Sequence, residues 1–400
     1  MVDQKKLILI GFADALSSPE VAFCLTESGF RVAAFVRKNS RLPALRKFKQ
    51  IKLFEITSPE EDRQQSIAEL RNLYQSLDAG MIMPLNDRAL WLCDQLAGDR
   101  SIKIAGPTGD RAAFSLDKRL QIEAARIAGF NVPQTIILQS KADTEQVVNF
   151  PVILKPALAV AEKDGKLLGK EQVRFCANKS EFEKAIASWN AKQPLLSQAV
   201  HQGTGAGLFG FASKTGIHCW SAHVRVRMMN PKGSGSSACK VQSVDDYPMK
   251  QAQDMLMRIG WQGQFMIELL RDDTGKFWFI ELNGRPWGSM ALALRMGFEY
   301  PVWTARQALL PEYVPMPPAP REPVTCRHMG REFIHILQVL RGPSSQAIPN
   351  WPSVWDTLCN VLRIRKNDRW YNWRSYNKSL FITDTCQTIL SETVYKWLKK

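Results

Sequence analysis

The chain has 400 residues, which is longer than one ordinary domain and suggests two or three domains at ~150 residues each. Lys and Arg total 53 against 38 Asp and Glu, so the formal net charge is +15, and 45% of the residues are apolar. These values exclude a disordered chain, a collagenous repeat and a small disulfide-stabilised scaffold. The positive excess suits nucleic acid, an anionic membrane surface or a polyanionic small molecule as a partner.

The sequence predicts a cytoplasmic protein. No apolar run approaches the ~18 residues of a membrane-spanning helix, and the run over 7–10 is too short for a signal peptide. The eight cysteines are scattered and none has C-x-x-C spacing. This distribution is typical of reduced, buried thiols.

Residues 1–110 predict an α/β front domain. Strands and helices alternate, which favours a parallel sheet. Strands are expected over 7–10, 31–36, 51–55 and 81–83, and helices over 19–28, 60–77 and 86–96. The turn at Gly11 lacks a full G-x-G-x-x-G, so the domain is interpreted as a scaffold or a substrate wall. Asn86 and Asp87 follow its last strand, where a substrate wall would lie.

Residues 111–310 predict an α+β domain, in which 150–200 form a smaller lid. Strands are expected over 152–155, 172–175, 195–200, 207–211, 218–228, 263–269 and 276–282, and helices over 117–128, 179–189 and 249–259. The segregation of strands from helices is the basis for this class.

The last part of the chain, 311–400, predicts a Pro-rich linker or surface arm followed by a mostly helical, basic extension. Six prolines fall within 311–323. From Arg321 onward there are 13 Lys and Arg against 6 Asp and Glu, a net of +7, and five of the twelve tryptophans.

The strongest motif is the segment 265–289, which predicts two strands joined by a short turn. Strand alternation places Glu281 and Asn283 on one face, and pairing brings Glu268 next to Glu281. Carboxylate and amide oxygens suit a hard cation, Mg²⁺ or Mn²⁺. The alternative is an exposed hairpin face whose carboxylates are paired by Arg285.

Three further segments carry polar groups. Lys155 lies within an apolar strand, where it needs either an anion such as phosphate or an edge in solvent. The strand over 195–200 is expected to enter a Gly-rich turn whose backbone could contact an adenine edge. His223, Arg225 and Arg227 share a face, and the Gly/Ser loop 233–237 predicts an anion nest or a flexible turn.

Together these motifs resemble the ATP-grasp superfamily over roughly residues 1–310, through W-x-G-x-F-x-x-E followed by E-x-N-x-R-x-W-G-S. The closest likeness is to ATP-grasp proteins of bacterial carbohydrate and surface-polymer gene clusters. The resemblance implies two phosphate-binding lysines, a hinge against adenine, neighbouring nucleotide contacts, magnesium ligands and a following arginine. Lys118 and Lys155 match the phosphate-binding lysines, and Gln198, Ala199 and Val200 match the hinge. Ile153, Met266 and Ile280 match the neighbouring nucleotide contacts. Glu268, Glu281 and Asn283 match the magnesium ligands, and Arg285 matches the arginine that follows them.

Two departures from the family pattern stand out. The flap after Lys155 contains only Gly165 and Gly169, although Lys163, Lys166 or Lys170 could still contact a triphosphate. The hinge carries Gln198 where an acidic residue is common.

The resemblance implies an ADP-forming carboxylate–amine ligase that uses ATP and Mg²⁺ (or Mn²⁺) and passes through an acyl phosphate. Arg285, with Arg225 or Arg227, would hold the substrate carboxylate, and Ser236 and Ser237 would line the loop nearby. The alternatives are a kinase or carboxylase outcome and a non-catalytic nucleotide-binding module. A biotin-dependent carboxylase would need further machinery, and no Met-Lys-Met carrier segment is present.

The basic tail has three interpretations. It is a cap on the body, a peripheral contact with the inner membrane surface, or, least favoured, a nucleic-acid surface. The residues involved are Arg363, Arg365, Lys366, Arg369, Trp370, Tyr371, Trp373 and Arg374. The sequence also leaves a homodimer open.

Overall fold

The computed structural model describes residues 6–163, 165–169, 172–233, 235–343, 345, 348 and 351–397, with 392–397 described by their backbone alone. The strands are β1 (Leu7–Gly11), β2 (Arg31–Arg37), β3 (Lys52–Ile56), β4 (Ala79–Pro84), β5 (Thr135–Leu138), β6 (Val152–Pro156), β7 (Glu162–Lys163), β8 (Lys166–Leu167), β9 (Arg174–Cys176), β10 (Leu195–Ala199), β11 (Thr204–Ser213), β12 (Gly216–Met228), β13 (Ser236–Gln242), β14 (Gly263–Arg271), β15 (Phe277–Asn283), β16 (Thr325–Arg327) and β17 (Asp368–Trp370). The α-helices are α1 (Ser18–Glu27), α2 (Arg63–Ser76), α3 (Asp87–Asp94), α4 (Asp110–Leu116), α5 (Lys118–Ile127), α6 (Lys179–Ala187), α7 (Asp246–Arg258), α8 (Met290–Arg295), α9 (Tyr300–Leu309), α10 (Met329–Arg341), α11 (Val354–Leu362) and α12 (Lys378–Trp397).

The front of the chain forms the predicted parallel sheet, in the order β3-β2-β1-β4. Strand β1 is buried along its whole length, as expected of a parallel strand covered on both faces. At the carboxyl end of β4, the Asn86 side chain accepts a hydrogen bond from the amide of Ala89 at 2.9 Å and caps α3. This cap places Asp87 in the first turn of the helix, at the sheet edge where ligands are expected.

The smaller lid is an antiparallel sheet in the order β5-β10-β6-β9. The lid includes strand β5 (135–138), which precedes the expected start of the lid at residue 150. Lys155 lies opposite Leu196, and Ile153 lies opposite Gln198. One face is covered by α6, with Phe182 and Trp189 in the core between them.

The large sheet has the order β15-β14-β11-β12-β13-β16-β17. The Gly-rich turn expected after residue 200 is wrong in part, because Thr204–Ser213 is strand β11, paired with β12 and β14. Side chains such as Leu208 and Ile267 pack on the α5 and α7 side. Phe209 and Met266 pack on the opposite side, in a core shared with α8, α9 and the front sheet.

The prediction of a Gly/Ser loop over 233–237 is wrong at its C-terminal end. Ser236 and Ser237 belong to strand β13 and are buried, and the Ser236 carbonyl accepts a hydrogen bond from Arg331 at 3.1 Å. The two serines therefore do not line a loop. Ser234, a member of the proposed nest, lies outside the described residues.

The Pro-rich segment lies against the body as an arm. Cys219 Sγ donates to the Pro315 carbonyl at 3.6 Å, and the Arg321 guanidinium donates to the Arg295 carbonyl at 3.1 Å. Beyond the arm, β16 pairs with β13 and joins the large sheet. The basic extension is therefore helical in α10, α11 and α12 but begins inside the sheet.

Part of the basic, aromatic tail is held by the front domain. Arg374 forms ion pairs with Glu20 at 3.3 Å and Glu27 at 2.7 Å. Tyr371 is buried, and its hydroxyl lies 2.9 Å from Cys239 Sγ. For Tyr371 and Arg374 the lipid and nucleic-acid interpretations are therefore wrong, and the interpretation of a cap fits, because protein groups already surround them.

Among the described helices, none combines the length and apolar character needed to cross a bilayer. The eight cysteines are free thiols, of which Cys359 and Cys386 are exposed and the others buried.

A buried ion network joins the extension to the large sheet. Glu332 on α10 accepts from Arg227 at 2.6 Å and from Arg327 at 2.9 Å, and all three side chains are at most one-tenth exposed. The two guanidinium groups lower the pKa of Glu332 against the raising effect of burial.

We expect Glu332→Gln to lower the free energy of unfolding by about 3–5 kcal/mol, because it leaves the buried Arg227 guanidinium without its counter-ion, whereas Arg327 keeps its pair with Asp368. Chemical denaturation measures this change. The control is Asp254→Asn, which breaks the exposed pair with Arg258 and should change nothing measurable. Equal effects of the two substitutions would contradict the assignment.

Candidate active site

Two carboxylates face each other on strands β14 and β15. Glu268 lies directly opposite Glu281, and Met266 lies opposite Asn283, as strand alternation predicts. The Asn283 amide donates to Glu281 Oε1 at 3.2 Å. The register slips next to this pair, so that Leu269 lies opposite Phe279 and Ile280 occupies the bulge between them. The result is one face with two carboxylates and an amide.

Each carboxylate is met by a different cation. Lys118 Nζ lies 3.3 Å from Glu281, and Arg225 lies 2.7 Å from Glu268. Burial raises the pKa of Glu281, but Lys118 and then Lys155 outweigh it and lower the pKa to about 2. Arg285 does not pair these carboxylates, so that alternative is wrong.

Lys118 is held at the start of helix α5. The Asp117 carboxylate caps the helix by accepting from the amide of Arg119 at 2.8 Å, and the Lys118 amide donates to the Ala157 carbonyl at 2.9 Å. This places the lysine between the lid and the large sheet. Burial lowers its pKa, but Glu281 and Asp87 outweigh that effect and raise it.

Lys155 is the least compensated charge of the site. It is 8% exposed on strand β6, and burial lowers its pKa to about 8, although Glu281 and Glu268 oppose the shift. Within the described part of the chain, its ammonium group has no hydrogen-bonded or ion-paired partner. A buried ammonium without a counter-ion is a favourable place for an anion.

The front domain contributes Asp87, which pairs with Arg285 at 2.8 Å. Arg285 Nη2 donates to the second oxygen at 3.2 Å, so the contact is bidentate. Burial raises the pKa of Asp87, and Arg285 more than offsets it. The sequence placed Asp87 near the substrate pocket but did not identify its partner, which lies 198 residues away.

Arg225 and Arg227 have separate partners. Arg225 crosses strand β11 at Gly205, where a Cβ would lie 2.8 Å from its Cδ, and reaches Glu268. Arg227 is bound to Glu332 on α10. The structure therefore brings Arg225, but not the guanidinium of Arg227, to the carboxylate pair.

The hinge after strand β10 has its backbone donors occupied. The amide of Ala199 donates to Gln134 at 2.9 Å, and that of Val200 donates to Pro151 at 3.2 Å. The Gln198 side chain is buried and donates to Thr135 Oγ1 at 2.9 Å. A base bound here would therefore meet the hinge carbonyl groups.

The three apolar residues assigned to the nucleotide differ in their exposure. Ile153 and Ile280 are half-buried, and Met266 is buried. Sequence reasoning missed His201, which stacks on Trp278 with ring centroids 3.7 Å apart. Its position directly after the hinge was the available signal.

The flap consists of the short antiparallel pair β7-β8, in which Lys163 lies opposite Lys166. It contacts the front domain, because Glu162 pairs with Arg63 and Arg88 donates to the Leu168 carbonyl at 2.9 Å. Lys170 lies outside the described residues.

The site can bind a polyanion together with a hard cation. It contains the cations Lys118, Lys155, Arg225 and Arg285 and the anions Glu268, Glu281 and Asp87. Among the described residues, no group of three or more His, Cys, Asp and Glu suits a metal ion. Two carboxylates and an amide instead fit Mg²⁺, which keeps waters and substrate phosphates in its shell.

Comparison with known proteins places the fold. Neither a family model nor a curated protein matches the sequence, but solved structures do. The L-amino acid ligase of Bacillus licheniformis has a TM-score of 0.60 and 16% identity, over 76% of this chain and 74% of that one. The biotin carboxylase domain of Hydrogenobacter thermophilus 2-oxoglutarate carboxylase has a TM-score of 0.60 and 16% identity, over 79% and 72%. An N5-carboxyaminoimidazole ribonucleotide synthetase in its ADP complex has a TM-score of 0.62 and 12% identity, over 90% and 97%.

These enzymes share the ATP-grasp fold, and the chain has this fold. The resemblance inferred from the motifs is thereby confirmed at the level of fold. At such identities the likeness concerns architecture alone.

We expect Lys155→Met to raise the melting temperature of the free protein at pH 7, because it removes a buried charge without a counter-ion. The lysine titrates near pH 8 in the folded chain, against an ordinary value of 10.5. Between these values the unfolded state binds more protons, so this residue's contribution to wild-type stability rises with pH. The difference between variant and wild type should therefore shrink from pH 8 to 10.5.

Thermal unfolding across this pH range measures the effect. Lys163→Met, at an exposed position on β7, is the control and should leave the melting temperature nearly unchanged. A stabilisation by Lys155→Met that is independent of pH would contradict the assignment.

Proposed function

We propose that the protein is an ATP-dependent carboxylate–amine ligase. The observation that carries the proposal is Lys155, a buried lysine of lid strand β6 without an ion-pair partner among the described residues, which interacts electrostatically with the facing carboxylates Glu281 and Glu268. A nucleotide triphosphate with a divalent cation supplies both the anion that Lys155 lacks and the cation that the carboxylates suit. The ATP-grasp fold and the ligases and carboxylases that share it support this assignment.

The nucleotide lies between the lid and the large sheet. Lys118 and Lys155 hold its phosphates, and the base packs against Ile153, Met266 and Ile280 beside the hinge over 198–200. Glu268, Glu281 and Asn283 would hold Mg²⁺, which neutralises charge on the transferred phosphoryl group. When phosphate reaches Lys118, the lysine exchanges one anionic partner for another, so Glu281 becomes available to the metal.

The reaction divides into two displacements. A substrate carboxylate oxygen attacks the γ-phosphorus, the bond to the β-phosphate oxygen breaks, and ADP leaves. An amine then attacks the acyl carbon, the acyl–phosphate bond breaks, and phosphate leaves as the amine loses a proton. Arg285, aligned by Asp87, and Arg225 hold the carboxylate and stabilise negative charge as it develops on the acyl oxygen.

Other outcomes of the same site remain alternatives. The fold is also that of a biotin carboxylase domain, and bicarbonate is the acid that tests this outcome. A non-catalytic nucleotide-binding module is disfavoured, since all three metal-ligand candidates are present and share one face. The homodimer stays a prediction.

ADP release over a panel of carboxylates paired with amino acids and amino sugars tests the ligase. We expect release that depends on both partners, and a loss of about 10²–10³-fold in Glu281→Gln, by analogy with the loss of a transition-state contact. Glu299→Gln, at an exposed position before α9, is the control. Release with bicarbonate alone would favour the carboxylase, and nucleotide binding without ADP release would favour the binding module.

We further propose that the extension contacts an anionic membrane surface through helix α11. Trp355, Leu362 and Ile364 are 75%, 74% and 69% exposed, and the exposed bases Arg363, Arg365 and Lys366 interleave with them. Apolar and basic side chains on one exposed segment suit headgroups of negative charge. The bases Arg363, Arg365 and Lys366 are among the residues to which the sequence pointed, whereas Trp355 and Leu362 are not.

The contact segment is anchored to the body. Helix α11 packs on α10, and Arg327 donates to the carbonyls of Val361 and Arg363 at the helix end. These contacts leave the side chains of Trp355 and Leu362 directed away from the core, as their exposure requires.

We expect the protein to co-sediment with phosphatidylglycerol vesicles and not with phosphatidylcholine vesicles, and to dissociate at high salt. Trp355→Ala with Leu362→Ala should reduce binding about tenfold or more, because each removes buried apolar area. Met316→Ala, which removes an 84% exposed side chain on the arm, is the control. Equal binding to both vesicles, or to neither, would overturn the proposal.

A further inference from the structure

A cavity of about 300 Å³ lies on the same face of the large sheet as the carboxylate pair. Strands β11, β12 and β13 form its floor, helix α8 forms a wall, and the Pro-rich arm closes one side. Its lining includes Phe209, His223, Trp287, Ala293, Phe298 and Pro318. The volume is at the small end of the ~300–1,000 Å³ of small-molecule sites.

Strand register joins the cavity to the site. Gly207 on β11 lies opposite Glu268 on one side and opposite His223 on the other. Neighbouring strands are about 4.8 Å apart, so the His223 backbone is about 10 Å from that of Glu268. Arg225, which binds Glu268, is two residues further along the same strand as His223. A molecule whose carboxyl group is held by Arg225 can therefore extend into the cavity.

The junction between cavity and site depends on Gly207. A Cβ at this position would lie 2.6 Å from the Phe209 ring and 2.7 Å from His223 Nε2, closer than real side chains approach. Phe209 stacks on Trp287 with ring centroids 4.7 Å apart, and meets the His223 ring edge-on at 4.8 Å. The floor of the cavity is thus a packed, aromatic surface.

Polar groups without partners are buried within this aromatic wall. Among the described residues, both ring nitrogens of His223, Trp287 Nε1 and Ser289 Oγ are buried without a hydrogen-bond partner. Burial and Arg225 lower the pKa of His223 to about 3, so its ring is neutral and can donate one hydrogen bond and accept another. Buried polar atoms of this kind are ordinarily satisfied, so their lack of partners distinguishes this wall of the cavity from an ordinary core.

The charge of the residues around the cavity indicates whether an acid or an amine binds there. None of the described residues around the cavity is Asp or Glu, and the charged group at its rim is Arg321. An ammonium group would meet no counter-ion there, whereas the arginines beside the cavity attract a carboxylate. The amine substrate is therefore the less suitable occupant.

We infer that the cavity binds the apolar body of the carboxylic acid substrate, an acid of roughly phenylpropanoate size. This inference rests on the proposed function and adds the substrate class to it. The acid enters with its carboxyl group at Arg225 and Arg285, and its body lies between the aromatic floor and the arm.

Calorimetric titration of the full chain, saturated with Mg²⁺ and a non-hydrolysable ATP analogue, tests the inference. The ligands are acetate, hexanoate, 3-phenylpropanoate, the polar acid gluconate and the cation 3-phenylpropylamine. We expect affinity to rise from acetate to 3-phenylpropanoate, with gluconate and the amine bound at least about tenfold more weakly. Hydroxylamine, added with ATP, should trap the activated acid as a hydroxamate.

Two variants of α8 and the loop after it alter the cavity in opposite directions. Ala293→Phe fills it and should weaken 3-phenylpropanoate about tenfold or more while nucleotide affinity stays unchanged. Met296→Ala enlarges it and should favour a longer acid such as 5-phenylpentanoate. If Ala293→Phe does not fold, Met296→Ala still decides the matter.

Several outcomes overturn the inference. They are preference for gluconate, tighter binding of the amine, no acid binding in the presence of bound nucleotide, and affinities that neither variant changes. Failure of the nucleotide itself to bind would instead overturn the proposed function, so the two failures are distinguishable.

Discussion

The repulsion between Glu268 and Glu281 organises the surrounding structure. Side chains directly opposite on paired strands have Cβ atoms about 4.5–5.5 Å apart, so two ionised carboxylates need cations close by. Lys118 and Arg225 supply them through direct ion pairs. Lys155, on the lid, adds electrostatic attraction to Glu281. A helix start, a strand of the large sheet and a lid strand therefore converge on one pair of anions.

The same constraint explains why the charges come from distant parts of the chain. A single strand pair offers few positions on one face, so further charges must come from other elements. Asp87 reaches Arg285 from the front sheet, which makes that domain part of the site. Glu332 binds Arg227 from the extension, and this leaves Arg225 as the guanidinium that faces the carboxylates.

Local patterns predicted much of this arrangement, and distant contacts did not. Alternation along the two strands correctly placed Glu268 opposite Glu281, because a hairpin is a short-range structure. The Gly-rich segment after residue 200 predicts a turn, since glycine ordinarily marks turns. In β11 the glycines instead make room for Arg225 and His223. The partners of Arg227, Arg285 and Arg374 lie 105, 198 and 354 residues away, and sequence spacing carries no signal for such pairs.

The Pro-rich arm has a consequence for how this protein could diversify. It begins after α9, passes over the cavity at residues 318–321 and ends at β16 in the large sheet, so both of its ends are fixed while its middle faces the cavity. Substitutions in the arm can reshape that space without moving the lysines or carboxylates, which lie on other elements. Under the proposed function, substrate preference and nucleotide chemistry would therefore be encoded in separable parts of the chain, and one could change while the other is preserved.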